Sequence, residues 1–257
     1  MKHGIASLSI IPVRKEPSHR SEMVNQILFG DVYEVIARDK TWLQIKTVHD
    51  HYIGWIDANQ HTEFSNSEVQ VNPNFASYIA WDTICVATSS LNNSAVVLGS
   101  TLHGFDGLNF RLGKEKWVYN GQAILPDASK NVAILEKIAT KYLNAPYLWG
   151  GRTPLGIDCS GFTQIVFKFM GIALMRDAYQ QAEQGVILNF LEEAGAGDLA
   201  FFHNEEGRII HVGIVLKDNR VIHSSGKVRI DKLDHFGIYN SETKKYSHQL
   251  KILKRVL

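Results

Sequence analysis

The chain has 257 residues, of which 45% are hydrophobic and 21% are charged, a composition typical of soluble globular proteins. Its 27 basic and 26 acidic side chains leave a net charge of +1, so general nucleic-acid binding has little electrostatic support. Apolar runs fall well short of the roughly 20 residues that span a bilayer, and the length favours two or three domains. We therefore predict neither a nucleic-acid nor a membrane partner.

The first part of the chain, residues 1–62, predicts closely spaced short strands. Its β-type runs are separated by turn-forming segments and read IASLSIIPV, DVYEVIA, TWLQIKTV and YIGWID. Such spacing predicts a small β-barrel. The apolar run at residues 5–11 is broken by Ser7 and Ser9, and no small-residue cleavage site follows it. We interpret this run as part of the fold rather than a signal peptide.

A second β-rich part, residues 70–126, repeats the pattern less cleanly. Its runs are YIAWDTICVA, AVVLGSTL and WVYNGQAIL. The preceding polar segment NSEVQVNPN contains Pro73 and is predicted to be a linker. No long helical periodicity occurs before Pro126, so a second, degenerate barrel is expected here.

The pattern changes to helical spacing after Pro126. Apolar side chains recur at helical spacing at Val132, Leu135, Ile138, Ala139 and Tyr142, with Ser129 placed to cap the helix. A second helix is predicted to begin at Cys159, and a third covers DAYQQAEQ. Three strand candidates follow: GDLAFF, IIHVGIVL and VIHSSG. Residues 128–257 are therefore predicted to form an α+β domain.

The two cysteines lie in different settings. Cys85 lies in the apolar run TICVA, where a buried hydrophobic role is expected. Cys159 lies where a glycine-rich loop meets a predicted helix, and a helix N-terminus lowers the pKa of a thiol because its N–H groups favour negative charge. Two distant thiols fit a reducing compartment better than a disulfide does. We predict that Cys159 is a nucleophile, with a structural core cysteine as the alternative.

Two histidines could serve that nucleophile. A catalytic thiol needs a base and a group that orients the base. His211 and His223 lie within apolar strand runs, where an imidazole is costly unless its nitrogens are paired. Together with Cys159 they predict a Cys-His-His relay. No zinc-type ligand spacing and no glycine-rich phosphate loop is found, so no metal and no cofactor is predicted.

The connection between the two histidine strands tests this prediction. A two-residue hairpin centred on Asp218 and Asn219 would pair His211 with Gly226 and turn His223 to the wrong face of the sheet. Both imidazoles share a face only if the loop has an odd number of residues or a bulge intervenes. We therefore predict an odd loop or a bulge near residues 217–220.

Several blocks of this sequence resemble known families in order and spacing. PYLWGG (146–151), DCSG (158–161), RDAYQQ (176–181), GDLAFF (197–202), HVGI (211–214) and VIHSSG (221–226) resemble the NlpC/p60 cysteine peptidases. SEMVNQILFGD, TWLQI and YIGWI resemble bacterial SH3-like domains. The implied fold is α+β, with a papain-like NlpC/p60 catalytic domain (128–257) preceded by two small SH3-like β-barrels (1–62 and 70–126). This arrangement is similar to that of γ-D-glutamyl-L-diamino acid endopeptidases, which recycle murein peptides.

The resemblance implies roles for the central residues. Cys159 would be the nucleophile, His211 the base, and His223 the group that orients the imidazole. Tyr147 would polarise the scissile carbonyl together with the backbone N–H of Cys159. The substrate would be a murein stem peptide, L-Ala-γ-D-Glu-diamino acid, cut after D-Glu through an acyl-enzyme.

The resemblance also implies a binding site for the free N-terminus of that peptide. Its ammonium needs a carboxylate, and Asp158 is the nearest candidate. Glu22 and Tyr52 match family positions that close this end of the cleft. The alternative for Glu22 is an exposed glutamate without a binding role, and the alternative for Tyr52 is a tyrosine of the barrel core.

The pocket for D-Glu is implied by two further matches. Ser160 and Asp177 match positions that line it in the family. Ala178 stands where many relatives carry serine, so one hydroxyl contact is missing and specificity there is expected to be looser.

Two other functions remain open from the sequence. One is a non-catalytic peptidoglycan-binding protein, and the other is an amidase or acyltransferase on the same fold. With no signal peptide recognised, we expect a cytoplasmic monomer, or a periplasmic protein if the chain has been trimmed.

Overall fold

The structure, a computed structural model, describes residues 2–64, 77–127 and 129–257 and consists of two compact units. Unit 1 comprises Met1–Pro126 and Trp149–Pro154, and unit 2 comprises Asp127–Leu148 and Leu155–Leu257. The first part of unit 1 thus ends at Pro126, and the segment Trp149–Pro154 also belongs to unit 1. The domain bounds 1–62, 70–126 and 128–257 stay predictions. The predicted linker NSEVQVNPN lies outside the described residues.

The first half of unit 1 is a seven-stranded antiparallel sheet. Its strands are β1 (Lys2–Ile5), β2 (Ile10–Arg14), β3 (Met23–Leu28), β4 (Val32–Asp39), β5 (Trp42–Thr47), β6 (Ile53–Asp57) and β7 (Thr62–Phe64), with a 3₁₀ turn at Ala58–Gln60. Their order is β3-β2-β6-β5-β4-β1-β7. Alternate apolar side chains such as Ile11, Val13, Leu43 and Ile45 meet in a buried cluster. The predicted first barrel is thus built from the expected short strands.

The second half of unit 1 contains seven more short strands. They are β8 (Ser77–Ala80), β9 (Ile84–Ser89), β10 (Asn93–Val97), β11 (Thr101–His103), β12 (Asn109–Leu112), β13 (Glu115–Tyr119) and β14 (Ala123–Ile124), and β15 (Arg152–Thr153) also lies in this unit. They form one sheet in the order β10-β9-β13-β12 and another in the order β11-β8-β14. The predicted second barrel therefore corresponds to two small sheets.

The two halves of unit 1 share a core, which explains why they form one unit. Phe29, the residue after β3, packs edge-on against Trp117 at 5.4 Å and Phe110 at 5.8 Å between ring centroids. The next residue, Gly30, has φ +81, and a Cβ there would lie 1.9 Å from the backbone oxygen of Thr101. Only glycine permits this approach of the two backbones. The two predicted barrels are thus not packed independently.

Unit 2 combines three helices with a sheet. The helices are α1 (Val132–Thr140), α2 (Cys159–Lys168) and α3 (Ala178–Gln181), with a 3₁₀ turn at Leu191–Glu193. The strands are β16 (Gly156–Ile157), β17 (Val186–Leu188), β18 (Leu199–His203), β19 (Ile209–Leu216), β20 (Arg220–Ser225), β21 (Lys227–Asp234), β22 (Gly237–Asn240) and β23 (Lys245–Arg255). The sheet order is β17-β23-β18-β19-β20-β21-β22, and β22 also pairs with β23.

All three predicted helices and the three predicted strands of unit 2 are present. One detail differs: α1 is capped by Asn131, whose side chain accepts from the N–H of Ala133, and not by Ser129. Ser129 is held instead by the Asp127 carboxylate, which accepts from its hydroxyl and its N–H. Within the described part of the chain, no helix has both the length and the apolar content needed to cross a bilayer.

Candidate active site

The thiol of Cys159 lies at the first residue of α2, as predicted. The preceding residue, Asp158, has an extended backbone and caps the helix, accepting from the N–H of Gly161 at 2.7 Å. The first N–H groups of a helix have no acceptor within the helix itself. Cys159 therefore lies beside the first backbone N–H groups of α2, and the residue is only 5% exposed.

The protonation state of this thiol differs from the expectation. Burial, followed by the negative charge of Asp158, raises the pKa of Cys159 to about 12. The N–H groups of Val212 and Ser160 and the charge of Arg176 lower the pKa but do not outweigh burial. The helix start alone therefore does not produce a thiolate. A thiol in this state can act as a nucleophile only if a base removes its proton.

The strands β19 and β20 bring the two predicted histidines to one face. In their register Leu216 is opposite Arg220 and Gly213 is opposite His223, which leaves a three-residue loop at 217–219. Asp218 and Asn219 adopt φ of 59 and 51, the left-handed conformation that such a turn uses. The predicted odd loop is confirmed. Because side chains alternate along a strand, His211 lies on the same face as His223.

A glycine in the HVGI block makes room for this arrangement. Gly213 is directly opposite His223, and a Cβ at Gly213 would lie 3.0 Å from the Cβ of His223 and 2.6 Å from a methyl group of Val221. A larger residue would push His223 away from His211.

The two imidazoles form a buried hydrogen-bonded relay. Nε2 of His211 lies 2.9 Å from Nδ1 of His223, and Nε2 of His223 lies 3.0 Å from Oδ2 of Asp231. Arg229 holds the Asp231 carboxylate with two further hydrogen bonds of 2.6 and 3.0 Å. The relay thus ends in an ion pair that sequence reasoning missed. The signal was present, since Arg229 and Asp231 alternate on a strand directly after VIHSSG.

A third imidazole, that of His248 on β23, stacks on His211. The ring centroids are 4.1 Å apart and the planes differ by 21°. Ring nitrogens of His211, His223 and His248 all lie within 4.8 Å of one another, a separation that could suit one metal ion. His211 and His223 point these nitrogens at each other, however, and the lone pairs of parallel rings do not converge. The geometry favours a relay over a metal centre.

Burial keeps this relay neutral. Burial, with smaller contributions from His223 and His248, holds the pKa of His211 well below its ordinary value. Burial also lowers the pKa of His223, although Asp231 opposes that shift. His211 is therefore an unprotonated base at neutral pH.

Tyr147 lies in the loop before α2, and its N–H donates to the backbone oxygen of Gly226 at 2.9 Å. Burial, followed by electrostatic interactions with Cys159 and Asp158, raises the pKa of the Tyr147 hydroxyl above its ordinary value. Tyr147 therefore remains a neutral phenol that can donate a hydrogen bond. This property fits its predicted role, which stays a prediction.

The Asp158 carboxylate is shared with a buried arginine. Arg176 donates to its two oxygens at 3.0 and 2.6 Å and to the hydroxyl of Ser160 at 2.9 Å. Asp177 caps α3, and Ala178 begins it in a buried position. The substrate roles predicted for Asp158, Ser160 and Asp177 stay predictions. Arg176, which organises two of these side chains, was not singled out from the sequence.

Glu22 and Tyr52 belong to unit 1. Glu22 accepts a hydrogen bond of 2.7 Å from the indole N–H of Trp149, which is in the same unit. Tyr52 is half-buried and does not belong to the barrel core, and its N–H donates to the Thr47 hydroxyl at 2.8 Å. Their predicted roles at the substrate N-terminus stay predictions.

Two stretches of the sequence match models of known protein families. A family model described as NlpC/P60 family matches residues 144–249, and one described as bacterial dipeptidyl-peptidase Sh3 domain matches residues 13–60. Residues 144–249 are an NlpC/P60 family domain. The domain contains Cys159, both relay histidines and His248, and an SH3 domain of the type found in bacterial dipeptidyl-peptidases precedes it.

Individual proteins are also similar to this chain over different shares of its length. A gamma-D-glutamyl-L-lysine dipeptidyl-peptidase of Bacillus cereus is 26% identical over 232 residues, covering 80% of this chain and 68% of that protein. An enzyme of the same name from Bacillus subtilis is 38% identical over 113 residues, covering 43% of this chain and 38% of that protein. A crystal structure of an NlpC/P60 family protein from Bacillus cereus has a TM-score of 0.82 with 19% identity, covering 98% and 99% of the two chains. That likeness shows a shared fold.

The buried histidines make the stability of the NlpC/P60 domain depend on pH. Burial lowers the pKa of His211, His223 and His248, the last to about 4, so the unfolded chain binds protons first as the pH falls below about 6.5. The stability they contribute is present above pH 6.5 and is lost toward pH 4. Each proton accounts for at most about 1.4 kcal/mol per pH unit.

We expect the His248→Phe variant, which retains a stacking ring, to show a shallower fall of Tm between pH 7 and 5 than the wild type does. Thermal unfolding followed by circular dichroism measures both slopes. The same replacement at exposed His235 is the matched control. Equal slopes in the wild type and in His248→Phe would contradict the assignment.

Proposed function

We propose that this protein is a cysteine peptidase that hydrolyses the bond between γ-D-Glu and the diamino acid in murein stem peptides with a free N-terminal L-Ala. The observation that carries the proposal is the buried thiol of Cys159 at a helix start, together with the His211–His223 relay of 2.9 Å. The names of the two Bacillus dipeptidyl-peptidases support the choice of bond.

In the first half of the reaction the thiol attacks the γ-carbonyl carbon of D-Glu. The thiol proton passes to Nδ1 of His211, whose Nε2 is engaged by His223. A sulfur–carbon bond forms, and the carbonyl π electrons move to oxygen. The Cys159 N–H and the Tyr147 hydroxyl donate to this oxyanion. His211 then gives its proton to the amine of the diamino acid as the carbon–nitrogen bond breaks, leaving a thioester.

In the second half, water releases the dipeptide. A water molecule gives a proton to Nδ1 of His211 and adds its oxygen to the thioester carbon. The sulfur–carbon bond breaks, and the sulfur recovers its proton from His211. Because burial disfavours both an isolated thiolate and an isolated imidazolium, the charged pair forms only during the reaction.

Binding of the D-Glu portion is assigned to Ser160 and Asp177, and binding of the N-terminal ammonium to Asp158, Glu22 and Tyr52. Support for Asp158 comes from its position as the cap of α2, directly before Cys159 in the chain.

Incubation with L-Ala-γ-D-Glu-meso-diaminopimelate and with L-Ala-γ-D-Glu-L-Lys, followed by mass analysis, tests the proposal. We expect L-Ala-D-Glu and the free diamino acid as the products. No cleavage by the purified protein would favour the non-catalytic peptidoglycan-binding protein. Release of the whole stem peptide, with L-Ala at its N-terminus, from a glycan-linked substrate, without cleavage of the tripeptides, would favour the amidase.

Replacing Glu22 by glutamine should raise KM for the free tripeptide by about 10-fold or more, because a charged hydrogen bond to the ammonium is lost. The N-acetylated tripeptide, a poorer substrate with no ammonium, should be affected little. Steady-state kinetics on both peptides measure this difference. Glu16→Gln, a change at an exposed glutamate of unit 1, is the matched control. Equal effects on both peptides would assign Glu22 to the fold instead.

A further inference from the structure

The Asp231 carboxylate behind His223 accepts three hydrogen bonds while almost fully buried. Oδ2 accepts from Nε2 of His223 at 3.0 Å and from Nε of Arg229 at 2.6 Å, and Oδ1 accepts from Nη2 of Arg229 at 3.0 Å. The Asp231 side chain is 3% exposed. The strand register explains the contact, since β21 places Arg229 opposite His223 and Asp231 opposite Val221, on one face.

The carboxylate is ionised and can therefore only accept hydrogen bonds. Burial opposes ionisation, but the hydrogen bonds from His223 and Arg229 bring the pKa of Asp231 below its ordinary value. An ionised carboxylate has no proton to donate. The proton in the contact between Asp231 and His223 must therefore lie on Nε2 of His223.

That single proton determines the positions of the others in the neutral relay. A neutral imidazole carries one N–H, so with Nε2 protonated, Nδ1 of His223 is an acceptor. The 2.9 Å contact then requires the proton on Nε2 of His211. It follows that Nδ1 of His211 has the lone pair that can take a thiol proton. The opposite pattern would leave Nδ1 of His211 protonated and unable to act as a base.

We infer that Asp231, held by Arg229, sets the tautomers of the whole relay and so makes Nδ1 of His211 the catalytic base. This inference rests on the proposed thiol peptidase function. Asp231 and Arg229 act through His223 and are positioning residues. The negative charge of Asp231 also favours the imidazolium that forms on His211 when the thiol loses its proton.

Other ionisable groups around the relay do not supply this constraint. His248 contacts His211 through a stacked ring face at 4.1 Å and lies 5.8 Å from His223 between centroids, so it does not fix an N–H position. Glu242 accepts from Nη1 of Arg229 at 3.1 Å, on the side away from Asp231, and its side chain is 72% exposed. On the thiol side, Asp158 is paired with Arg176.

Long-range ¹H–¹⁵N correlation spectra of the full chain, with ¹⁵N-labelled histidine, measure the tautomers directly at pH 7.5. We expect both His211 and His223 in the Nε2–H form. In Asp231→Ala this preference should be lost, with His223 shifting toward the Nδ1–H form. Glu242→Gln, an acid-to-amide change at the far side of Arg229, is the control and should retain the wild-type pattern.

Kinetics on the tripeptide give a second readout. Asp231→Ala should lower kcat by about 10- to 100-fold with little change in KM, the range known for partners that orient metal-binding imidazoles. The acidic limb of kcat/KM should move to lower pH, because the imidazolium loses a stabilising charge. Asp231→Asn, which keeps an acceptor oxygen without the charge, should recover part of kcat.

An Nδ1–H form of either histidine in the wild type would overturn the inference. This measurement uses the wild-type protein and does not depend on whether a variant folds. Unchanged tautomers in Asp231→Ala would overturn it as well. A protein with the expected tautomers that cleaves neither tripeptide would contradict the proposed function instead. The two failures are therefore distinguishable.

Discussion

Replacing Cys159 by alanine should lower hydrolysis of L-Ala-γ-D-Glu-diamino acid tripeptides by at least about 10⁴-fold, since loss of the nucleophile removes the covalent route. The change deletes one sulfur atom at a buried helix start, so α2 and its Asp158 cap should be retained. Mass analysis of the peptide products measures the activity, and circular dichroism checks the fold.

The second cysteine offers a matched control. Cys85 lies half-buried on β9 in unit 1, and Cys85→Ala should retain wild-type activity. Alkylation with iodoacetamide should still inactivate the Cys85→Ala variant, at a rate that rises with pH because burial raises the pKa of Cys159 to about 12. Hydrolysis that persists in Cys159→Ala would end the cysteine peptidase proposal.

Replacing Arg176 by methionine should lower the free energy of unfolding by about 3–5 kcal/mol, the cost of leaving a buried charge without its partner. Arg176 and Asp158 are joined by hydrogen bonds of 2.6 and 3.0 Å, and both side chains are at most 5% exposed. Because Asp158 also caps α2, activity should fall with stability. Urea denaturation followed by circular dichroism measures the change.

The same replacement at an exposed ion pair is the control. Arg208 lies 3.2 Å from Glu206, and their side chains are 79% and 64% exposed. Arg208→Met should leave the unfolding curve unchanged within error, because exposed pairs contribute little. An equal loss of unfolding free energy in Arg176→Met and Arg208→Met would contradict the prediction. It would show that loss of the arginine side chain is costly whether or not its partner is buried.

Local patterns predicted much of unit 2 correctly. Apolar spacing of three to four residues identified α1 and α2, and the loop-to-helix change at DCSG placed Cys159 at a helix start. The alternation of side chains along β19 and β20 required an odd loop, and the three residues at 217–219 provide it. These features depend on neighbours within a few residues, so they can be recognised in the linear chain.

Other features depend on residues that are distant in sequence. His248 stacks on His211 from a strand near the end of the chain. Trp149 lies two residues after Tyr147, yet its indole bonds to Glu22 in unit 1. The shared core around Phe29 joins two predicted domains into one unit. No local periodicity reports such contacts.

The candidates for the nucleophile and for its two histidines were chosen from residue type and spacing, because helix starts and strand alternation are local properties of the chain. The protonation state of the site could not be predicted from residue type and spacing. Burial raises the pKa of Cys159, and the carboxylate that pairs with His223 belongs to Asp231, which the fold brings to the relay. Desolvation and charge act through space, so these properties exist only once the chain has folded.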